Sequence, residues 1–266
     1  MAGRGRVALR VAALAYLGLL LALPLALIFW RTFGQGLGPV WAAVTRFEAV
    51  HALWLTMFVA LIAVPVNTVF GVLCAIVLTR HRFWGRSLVN ALIDLPFAVS
   101  PVVVGLALVF VYGSGSPVGG WLAARGVQVV FSIPGIVVAT VFACLPFVVR
   151  EVAPVLQEVG TEQEQAAATL GASSWQTFWR VTLPSIRSGV GYGVVLTTAR
   201  AVGEFGAVSV VSGRLLGQTQ TLTMYVEERF QDFDPVGAYA AAVVLALLAV
   251  ATLLAMNLLG PRRRSA

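Results

Sequence analysis

The sequence is dominated by long apolar stretches that carry almost no charge. A helix needs about 20 largely apolar residues to cross the hydrocarbon core of a bilayer. Six stretches are suitable, and they are residues 11–30, 52–79, 87–112, 133–149, 188–211 and 236–259. None of them alternates strictly between polar and apolar residues, which favours helices over barrel strands. The sequence therefore predicts an all-α polytopic membrane protein with six transmembrane helices.

The composition agrees with this interpretation and excludes other classes of protein. Of the 266 residues, 59% are apolar and 11% are charged, whereas soluble domains are about 45–50% apolar and about 25% charged. A soluble enzyme and a nucleic-acid-binding protein are excluded on these grounds. We expect the lipid bilayer to surround most of the chain.

All basic residues are arginines, and their positions predict the orientation of the chain. Arginine is enriched in the cytoplasmic loops of membrane proteins. If both termini and the loops 80–86 and 150–187 are cytoplasmic, that side holds twelve of the eighteen arginines, which are Arg4, Arg6, Arg10, Arg80, Arg82, Arg86, Arg150, Arg180, Arg187, Arg262, Arg263 and Arg264. We therefore expect both termini in the cytoplasm. Residues 1–50 would hold the N-terminus, the first span and an outer loop, and residues 260–266 a basic tail.

The first apolar stretch has a second interpretation, because basic residues followed by an apolar run also characterise a cleaved signal peptide. The stretch 11–30 is longer than a typical signal core, and it ends in the bulky Phe29 and Trp30. These features favour a retained first transmembrane helix.

The sequence lacks the residue patterns of common catalytic and metal sites. It contains no lysine, which rules out a G-x-x-x-x-G-K-[ST] phosphate-binding loop, and it has no G-x-S-x-G or H-E-x-x-H pattern. His51 and His81 lie at opposite ends of the second span. Cys74 and Cys144 lie inside apolar spans, where cysteine usually behaves as a small hydrophobe. We expect no catalytic residue, no metal site and no cofactor bound by this chain.

Residues 150–187 form the longest polar segment, and their pattern predicts two short helices joined by a turn. Thr161 followed three residues later by Glu164 matches a capping box at the start of the first helix. Gly171 stands where a left-handed C-terminal cap is expected. Pro184 marks the expected end of the second helix.

The second short helix is predicted from a weaker capping box at Ser173 and Gln176. Its sequence contains three aromatic residues, Trp175, Phe178 and Trp179. Exposed apolar clusters usually mark contact sites. The rings therefore either form a docking surface for another protein or pack beneath the transmembrane helices of this chain.

Part of this segment resembles the E-A-A-x-x-x-G-x9-I-x-L-P loop of ABC importer permeases. The similar residues are Gln165, Ala166, Ala167, Gly171, Leu183 and Pro184. The sequence differs from the motif by Gln165 in place of glutamate and by Val181 in place of isoleucine. Glu164, which directly precedes Gln165, is a candidate for the role of the missing carboxylate.

The resemblance implies that this loop inserts into a cleft on a separate ATPase subunit and transmits its movement. Two ATPase subunits would bind below the permease, and ATP and Mg would act on them. It also implies a type I ABC permease (MetI-like) fold over residues 51–259, with residues 150–187 as the coupling loop. The expected coupling residues are Glu164, Gln165, Ala166, Ala167, Gly171, Trp175, Leu183 and Pro184.

Charged residues inside the predicted spans need partners, since a charge at the helix centre costs roughly 2.5–3.5 kcal/mol on insertion scales. Arg200 and Glu204 lie one turn apart in the fifth span, within reach of each other. Asp94 lies in the third span at a depth that a long Arg200 side chain can reach. Three interpretations remain open for these groups: an ion pair that fixes packing, a gate whose pairing changes, and an anion-binding site.

Five segments are similar to the W-type subunit of sulfate/thiosulfate ABC importer permeases. They are residues 94–103, 112–114, 119–122, 144–151 and 199–213. The resemblance covers roughly residues 40–260. It implies import of sulfate or thiosulfate across the bacterial inner membrane, together with a homologous T-type permease and a periplasmic sulfate-binding protein. A molybdate or tungstate permease is an alternative, as is an ion-coupled anion carrier.

Two segments are expected on the outer side. Leu222, Tyr225, Val226 and Phe230 recur at helical spacing opposite a polar face, which predicts an amphipathic helix at the outer membrane interface. Loop 113–132 is rich in glycine. In the resembled family such loops receive the binding protein, although both segments could also simply connect helices.

Overall fold

The computed structural model describes the backbone of residues 2–34 and 36–259, and within these ranges it contains helices but no strand. The predicted basic tail 260–266 lies outside the described residues. The helices in chain order are α1 Ala2–Leu17, α2 Leu23–Phe33, α3 Leu37–Val44, α4 Phe47–Arg80, α5 Arg86–Ala98, α6 Pro101–Tyr112, α7 Pro117–Ala123, α8 Ile133–Val159, α9 Glu162–Thr169, α10 Ser174–Thr177, α11 Leu183–Ser185, α12 Arg187–Val202, α13 Gly206–Val211, α14 Leu222–Gln231 and α15 Pro235–Leu259. Two π-helical turns, Gly18–Ala22 and Phe178–Thr182, join α1 to α2 and α10 to α11.

Several helices are long and apolar enough to cross a membrane. Within the described part of the chain these are Leu9–Phe33, α4, α8 and the segment Pro235–Thr252 of α15, and the bent pair α5–α6 adds a fifth if it counts as one span. The other predicted span, residues 188–211, is divided between α12 and α13. The protein is therefore an all-helical, multi-pass membrane protein, and this architecture is compatible with the six predicted spans.

The third predicted span is not a continuous helix. The chain bends by 114° between α5 and α6, and Val99 and Ser100 lie at the bend. Pro101 opens α6, and the residue before a proline is disfavoured in the helical region. Ser100 accordingly has φ −57° and ψ 133°. The expectation of one helix over residues 87–112 is therefore wrong, because the proline turns the chain sharply.

The fifth predicted span is also divided. α12 ends at Val202, and α13 begins at Gly206. Glu204 lies in the break, where its Oε1 accepts a hydrogen bond from the N–H of Ala207 at 3.0 Å. The carboxylate thereby satisfies one of the N–H groups that the start of a helix leaves free. The expectation of one helix over residues 188–211 is wrong for this reason.

The fourth span is longer than predicted. α8 continues to Val159, well beyond its predicted end at Val149, so Arg150 lies on a helix that packs against α5. The helix ends at Gly160, whose φ of +69° is left-handed and suits glycine. We call the projection that follows, residues 160–186, the elbow.

α8 forms the centre of the bundle, where it packs between α4 and α12. Gly71 of α4 and Gly193 of α12 both face Val148. A Cβ atom on Gly71 would lie 2.6 Å from Val148 Cβ, and one on Gly193 would lie 3.0 Å from Val148 Cα. The two glycines therefore allow close approach of the backbones, as small residues do between transmembrane helices.

The half of the bundle next to the elbow has its own apolar core, which we call the elbow-side core. Its buried members come from α4, α5, α8 and the end of the elbow, and they are Val72, Ala75, Leu78, Ile93, Val148, Val149, Val152, Leu156 and Ile186. This core packs the ends of α4 and α8 together next to the elbow.

The amphipathic helix predicted at the outer interface forms, but its apolar face is turned to the protein. α14 packs against α4 and α15, and Leu222 and Tyr225 are buried there with Ala49, Ala52 and Ala241. The bundle itself therefore covers the apolar face of α14, as in the alternative in which this segment covers the rim of the bundle. Phe230 alone among the predicted apolar positions is largely exposed.

Candidate coupling site and intramembrane charges

Within the elbow, α9 ends in a left-handed turn at Gly171, as the sequence predicts. Gly171 has φ +82°, and its N–H donates to the carbonyl oxygen of Ala168 at 3.0 Å. The N–H of Ala172 donates to the carbonyl oxygen of Ala167, also at 3.0 Å. These two bonds form a Schellman motif, which satisfies carbonyl groups at the end of a helix. The reversal between α9 and α10 is therefore stabilised by local hydrogen bonds.

The capping box predicted at the start of α9 is wrong. Thr161 precedes the helix with φ −112° and ψ −3°, and its side chain caps no backbone N–H. A capping residue normally has an extended backbone, which directs its side chain at the first turn. The hydroxyl of Thr161 instead accepts a hydrogen bond from Gln165 Nε2 at 3.2 Å.

The second predicted capping box is confirmed at the start of α10. The N–H of Gln176 donates to Ser173 Oγ at 3.3 Å, and the N–H of Ser173 donates to Gln176 Oε1 at 2.9 Å. The helix then continues through the π-helical turn into α11, which ends at Ser185, one residue after the predicted end at Pro184. Two short helical segments around a glycine turn thus make up the elbow.

The three aromatic residues of the elbow divide between its two sides. Phe178 packs against the elbow-side core, whereas Trp175 and Trp179 are 70% and 50% exposed. The two indole rings meet edge to face, with centroids 5.5 Å apart. Leu170, at the tip of the turn, is 88% exposed. The elbow therefore presents a ridge of large apolar side chains that stays exposed among the described residues.

The expected coupling residues lie on both faces of the elbow. Gln165, Ala166, Gly171, Trp175 and Pro184 are exposed, and Ala167, Glu164 and Leu183 are half-buried. Leu183 packs against the elbow-side core.

Glu164, the candidate for the missing carboxylate, has its contacts within the chain. Its Oε2 lies 3.0 Å from Arg80 Nε, and its Oε1 accepts a hydrogen bond from Thr182 Oγ1 at 2.9 Å.

Arg200 and Glu204 form the predicted ion pair, and the pair lies at the break between α12 and α13. The Glu204 side chain is 1% exposed and that of Arg200 is 32% exposed. The carbonyl oxygen of Glu204 also accepts a hydrogen bond from Thr223 Oγ1 at 2.9 Å. Glu204 thus joins α12 and α13 through its carboxylate, whose charge Arg200 balances, and contacts α14 through its backbone carbonyl.

The sequence suggested that Asp94 pairs with Arg200. In the structure Asp94 pairs with Arg150 instead. The Nε of Arg150 donates to Asp94 Oδ1 at 2.8 Å, and its Nη2 donates to Asn90 Oδ1 at 3.1 Å. Because α8 continues past its predicted end, Arg150 reaches the face of α5 that carries both residues. The prediction of an Arg200–Asp94 contact is wrong for that reason.

Arg80 and Arg150 were not among the predicted site residues. Each is the first charged residue after a long apolar run, a position that also indicates the orientation of the chain. A long side chain at such a position can reach polar groups on neighbouring helices. This position is the sequence signal that could have identified them.

The multi-pass helical fold and the projecting elbow define the class of an ABC importer permease. Residues 67–265 match the family described as binding-protein-dependent transport system inner membrane component, and the chain belongs to this family.

Three relatives indicate where the chain lies within this class. The sulfate transport system permease protein CysW of Synechocystis sp. is 53% identical over 250 residues, which cover 94% of this chain and 91% of that protein. CysW of Escherichia coli is 51% identical over 240 residues, or 90% of this chain and 82% of that protein. The sulfate transport system permease protein CysT of Escherichia coli is 39% identical over 250 residues, or 94% and 90%. The chain thus has more identities with these two CysW proteins than with this CysT protein.

Solved structures confirm the predicted fold. A bacterial ABC transporter involved in the import of the acidic polysaccharide alginate matches with a TM-score of 0.78 and 16% identity, over 98% of this chain and 96% of that chain. The alginate transporter in complex with a periplasmic protein bound to alginate pentasaccharide matches with a TM-score of 0.77 and 17% identity, over 95% and 91%. At such identities the similarity shows the type I permease fold alone.

Proposed function

We propose that this chain is the W-type permease subunit of an ATP-driven importer that carries sulfate and thiosulfate into the cytoplasm. The observation that carries the proposal is the identity of 53% and 51% with two CysW proteins, over more than four-fifths of each sequence. The lower identity of 39% with a CysT protein supports the W-type assignment.

The elbow is the proposed docking surface for a separate ATPase subunit. Its ridge of Leu170, Trp175 and Trp179 is exposed although each side chain is large and apolar, and exposed apolar clusters usually mark contact sites. The Schellman turn at Gly171 gives the ridge a defined shape. Insertion of the ridge into a cleft would cover these side chains and would pass movement of the ATPase to α8 and α12.

The remaining subunits follow from the proposed orientation. The arginine distribution favours a cytoplasmic elbow and cytoplasmic termini, with two ATPase subunits bound there. A T-type permease would lie beside this chain in the membrane. A periplasmic sulfate-binding protein would bind the opposite side, which carries loop 113–132. The alginate transporter solved with its periplasmic protein supports this arrangement by its similar fold.

Uptake of radioactive sulfate tests the proposed substrate. Cells that lack their own W-type subunit would be given this chain together with its partner genes, and cells with an empty vector serve as the control. We expect sulfate uptake that excess thiosulfate inhibits and excess molybdate does not. No sulfate uptake, together with uptake of labelled molybdate in the same cells, would favour the molybdate permease instead.

Photo-crosslinking tests the proposed docking surface. A crosslinking amino acid at Trp175 should label the ATPase subunit in transporting membranes. The matched control is Trp121 on α7, which is 56% exposed and lies towards the opposite end of the bundle. Crosslinks from Trp175 to lipid or to this chain alone would contradict ATPase docking.

A further inference from the structure

α9 belongs to the segment that should transmit movement, but it has little packing that would hold it to the transmembrane helices. None of its residues is buried, so no apolar face fastens the helix to the bundle. Only Gly160 and Thr161 connect it to α8. Gly160 has a positive φ, and a Cβ atom there would meet nothing within 4 Å. α9 packs against α10 and the π-helical turn of the same elbow, and polar contacts attach it to α4 and α8.

Arg80, the last residue of α4, provides these contacts. Its Nη1 donates to the carbonyl oxygen of Leu156 at 3.0 Å, and its Nη2 donates to the carbonyl oxygen of Gly160 at 2.6 Å. Nη2 also donates to Glu164 Oε1 at 3.2 Å, while Nε lies 3.0 Å from Glu164 Oε2. One guanidinium group thus joins the end of α4, the end of α8 and the first turn of α9.

The chemistry of this contact suits a rigid joint. The last carbonyl groups of a helix have no partner within it and carry partial negative charge, so a cation is favourable there. Two nitrogen atoms of the planar guanidinium face the carboxylate, of which Nη2 donates a hydrogen bond and Nε makes an ionic contact without one. The side chains of Arg80 and Glu164 are 12% and 23% exposed, and little water competes for the contact.

Thr182 holds the same carboxylate from the other side. It is buried, and its hydroxyl donates to Glu164 Oε1 at 2.9 Å. Thr182 ends the π-helical turn that leads through α11 into α12. The Arg80–Glu164 pair is therefore the point at which α4, the end of α8, α9 and the approach to α12 meet.

We infer that Arg80 is a positioning residue that fastens α9 to α4 and α8, so that a force on the elbow moves these helices together. The inference rests on the proposed function, in which an ATPase binds the elbow. Without the contact, α9 would pivot on Gly160 while the transmembrane helices stay in place. ATP would then be hydrolysed without transport.

The ratio of ATP hydrolysed to sulfate imported tests the inference in the complete transporter reconstituted in liposomes. Arg80→Gln should raise this ratio roughly fivefold or more, the range of typical coupling energies, while the ATPase rate and the crosslink from position 175 persist. Arg82→Gln is the matched control. Arg82 is exposed two residues away and forms no salt bridge within the described part of the chain. Its ratio should stay unchanged.

Glu164→Gln is the milder second variant, because it keeps the hydrogen bonds of Arg80 to both carbonyl groups and an acceptor for Thr182. It should also raise the ratio, by a smaller factor, at unchanged thermal stability. An unchanged ratio in Glu164→Gln with the crosslink intact would overturn the inference and leave the proposed function standing. Absence of the crosslink in the wild-type transporter would instead overturn the proposed function.

Discussion

Gly171 sets the direction of the elbow through its backbone alone. Its φ of +82° belongs to the left-handed region, and a Cβ atom there would meet nothing within 4 Å. A larger side chain would therefore cause backbone strain without any steric clash. The left-handed conformation costs an L-residue about 1–2 kcal/mol, which is enough to shift the turn towards other shapes.

Gly171→Ala should therefore lower coupling, seen as more ATP hydrolysed for each sulfate imported, and Gly171→Val should lower it further. The matched control is Gly191→Ala in α12, where φ is not positive and a Cβ atom also meets nothing within 4 Å. That variant should be neutral or slightly stabilising, since alanine reduces the conformational entropy of the unfolded chain. Normal coupling in Gly171→Val would remove the turn from the mechanism.

The Arg200–Glu204 pair allows a test by double substitution. Arg200→Ala leaves the Glu204 carboxylate buried without its counter-charge, and removal of one partner from a buried pair costs about 3–5 kcal/mol. Sulfate uptake should fall more in Arg200→Ala than in Arg200→Ala with Glu204→Ala. Additive losses, measured as uptake at equal amounts of protein in the membrane, would argue against a functional pair.

Glu228 on α14 makes stability depend on pH. Burial raises the pKa of Glu228 above its ordinary value of 4.5, although the neighbouring Arg229 opposes this change. The folded chain therefore binds more protons than the unfolded chain above pH 4.5, and its stability falls as pH rises through the raised pKa. Glu228→Gln should raise the Tm at pH 7.5, and the gain should shrink towards pH 4.5.

Asp234 is the matched control for this prediction, because its pKa changes in the opposite direction. Burial alone would raise the pKa of Asp234, but the N–H of Gly237 and the guanidinium of Arg46 lower it below 3.8. Its stabilising contribution is thus present above pH 3.8. Asp234→Asn should lower the Tm at pH 7.5, and a rise there would contradict the assigned causes.

Among the helices, α6 and α13 come from the two divided spans and pack closely against each other. A Cβ atom on Gly105 would lie 2.8 Å from the carbonyl oxygen of Ala207 and 2.8 Å from Val210 Cβ. A Cβ atom on Gly206 would lie 2.6 Å from Pro101 Cβ. α6 and α13, which follow the bends at Pro101 and Glu204, therefore pack with their backbones close together.

Gly105→Ala should destabilise the protein by about 1–3 kcal/mol, the usual cost of overpacking. Its effect on the Tm in detergent should exceed that of Gly191→Ala, which adds the same methyl group to an open position on α12. Equal Tm values for the two variants would show that α6 and α13 separate easily.

At the scale of the whole molecule, the elbow exposes large apolar side chains outside the proposed membrane-spanning helices. Contact with lipid does not explain their exposure there. Removal of that surface by Trp175→Ala with Trp179→Ala should reduce the amount of ATPase that co-purifies with the chain in mild detergent. In the proposed assembly, recovery of the T-type permease should not change, because its contact with this chain would lie in the membrane. Trp121→Ala serves as the control. Recovery of the wild-type chain alone, without ATPase activity, would favour an ion-coupled carrier.

The sequence predicted the features that depend on neighbouring residues. The positions of the apolar spans, the cap at Gly171 and the capping box at Ser173 all follow from residues within a few positions of one another. The prediction failed at Thr161, where the pattern is present but Glu164 is held by Arg80, far away in the chain. Local patterns predict a cap only when no distant partner competes for the same side chain.

By itself, the sequence determined a chain of membrane-spanning helices with a helix–turn–helix projection, because hydrophobicity and helix signals act over short distances. The tertiary structure alone decided the partners of Asp94, Arg150 and Glu164 and the covered face of α14. These depend on how far each helix extends and on which faces two helices turn to each other. Such registers arise from packing across the whole bundle, as at Gly71 and Val148, and no short stretch of sequence contains them.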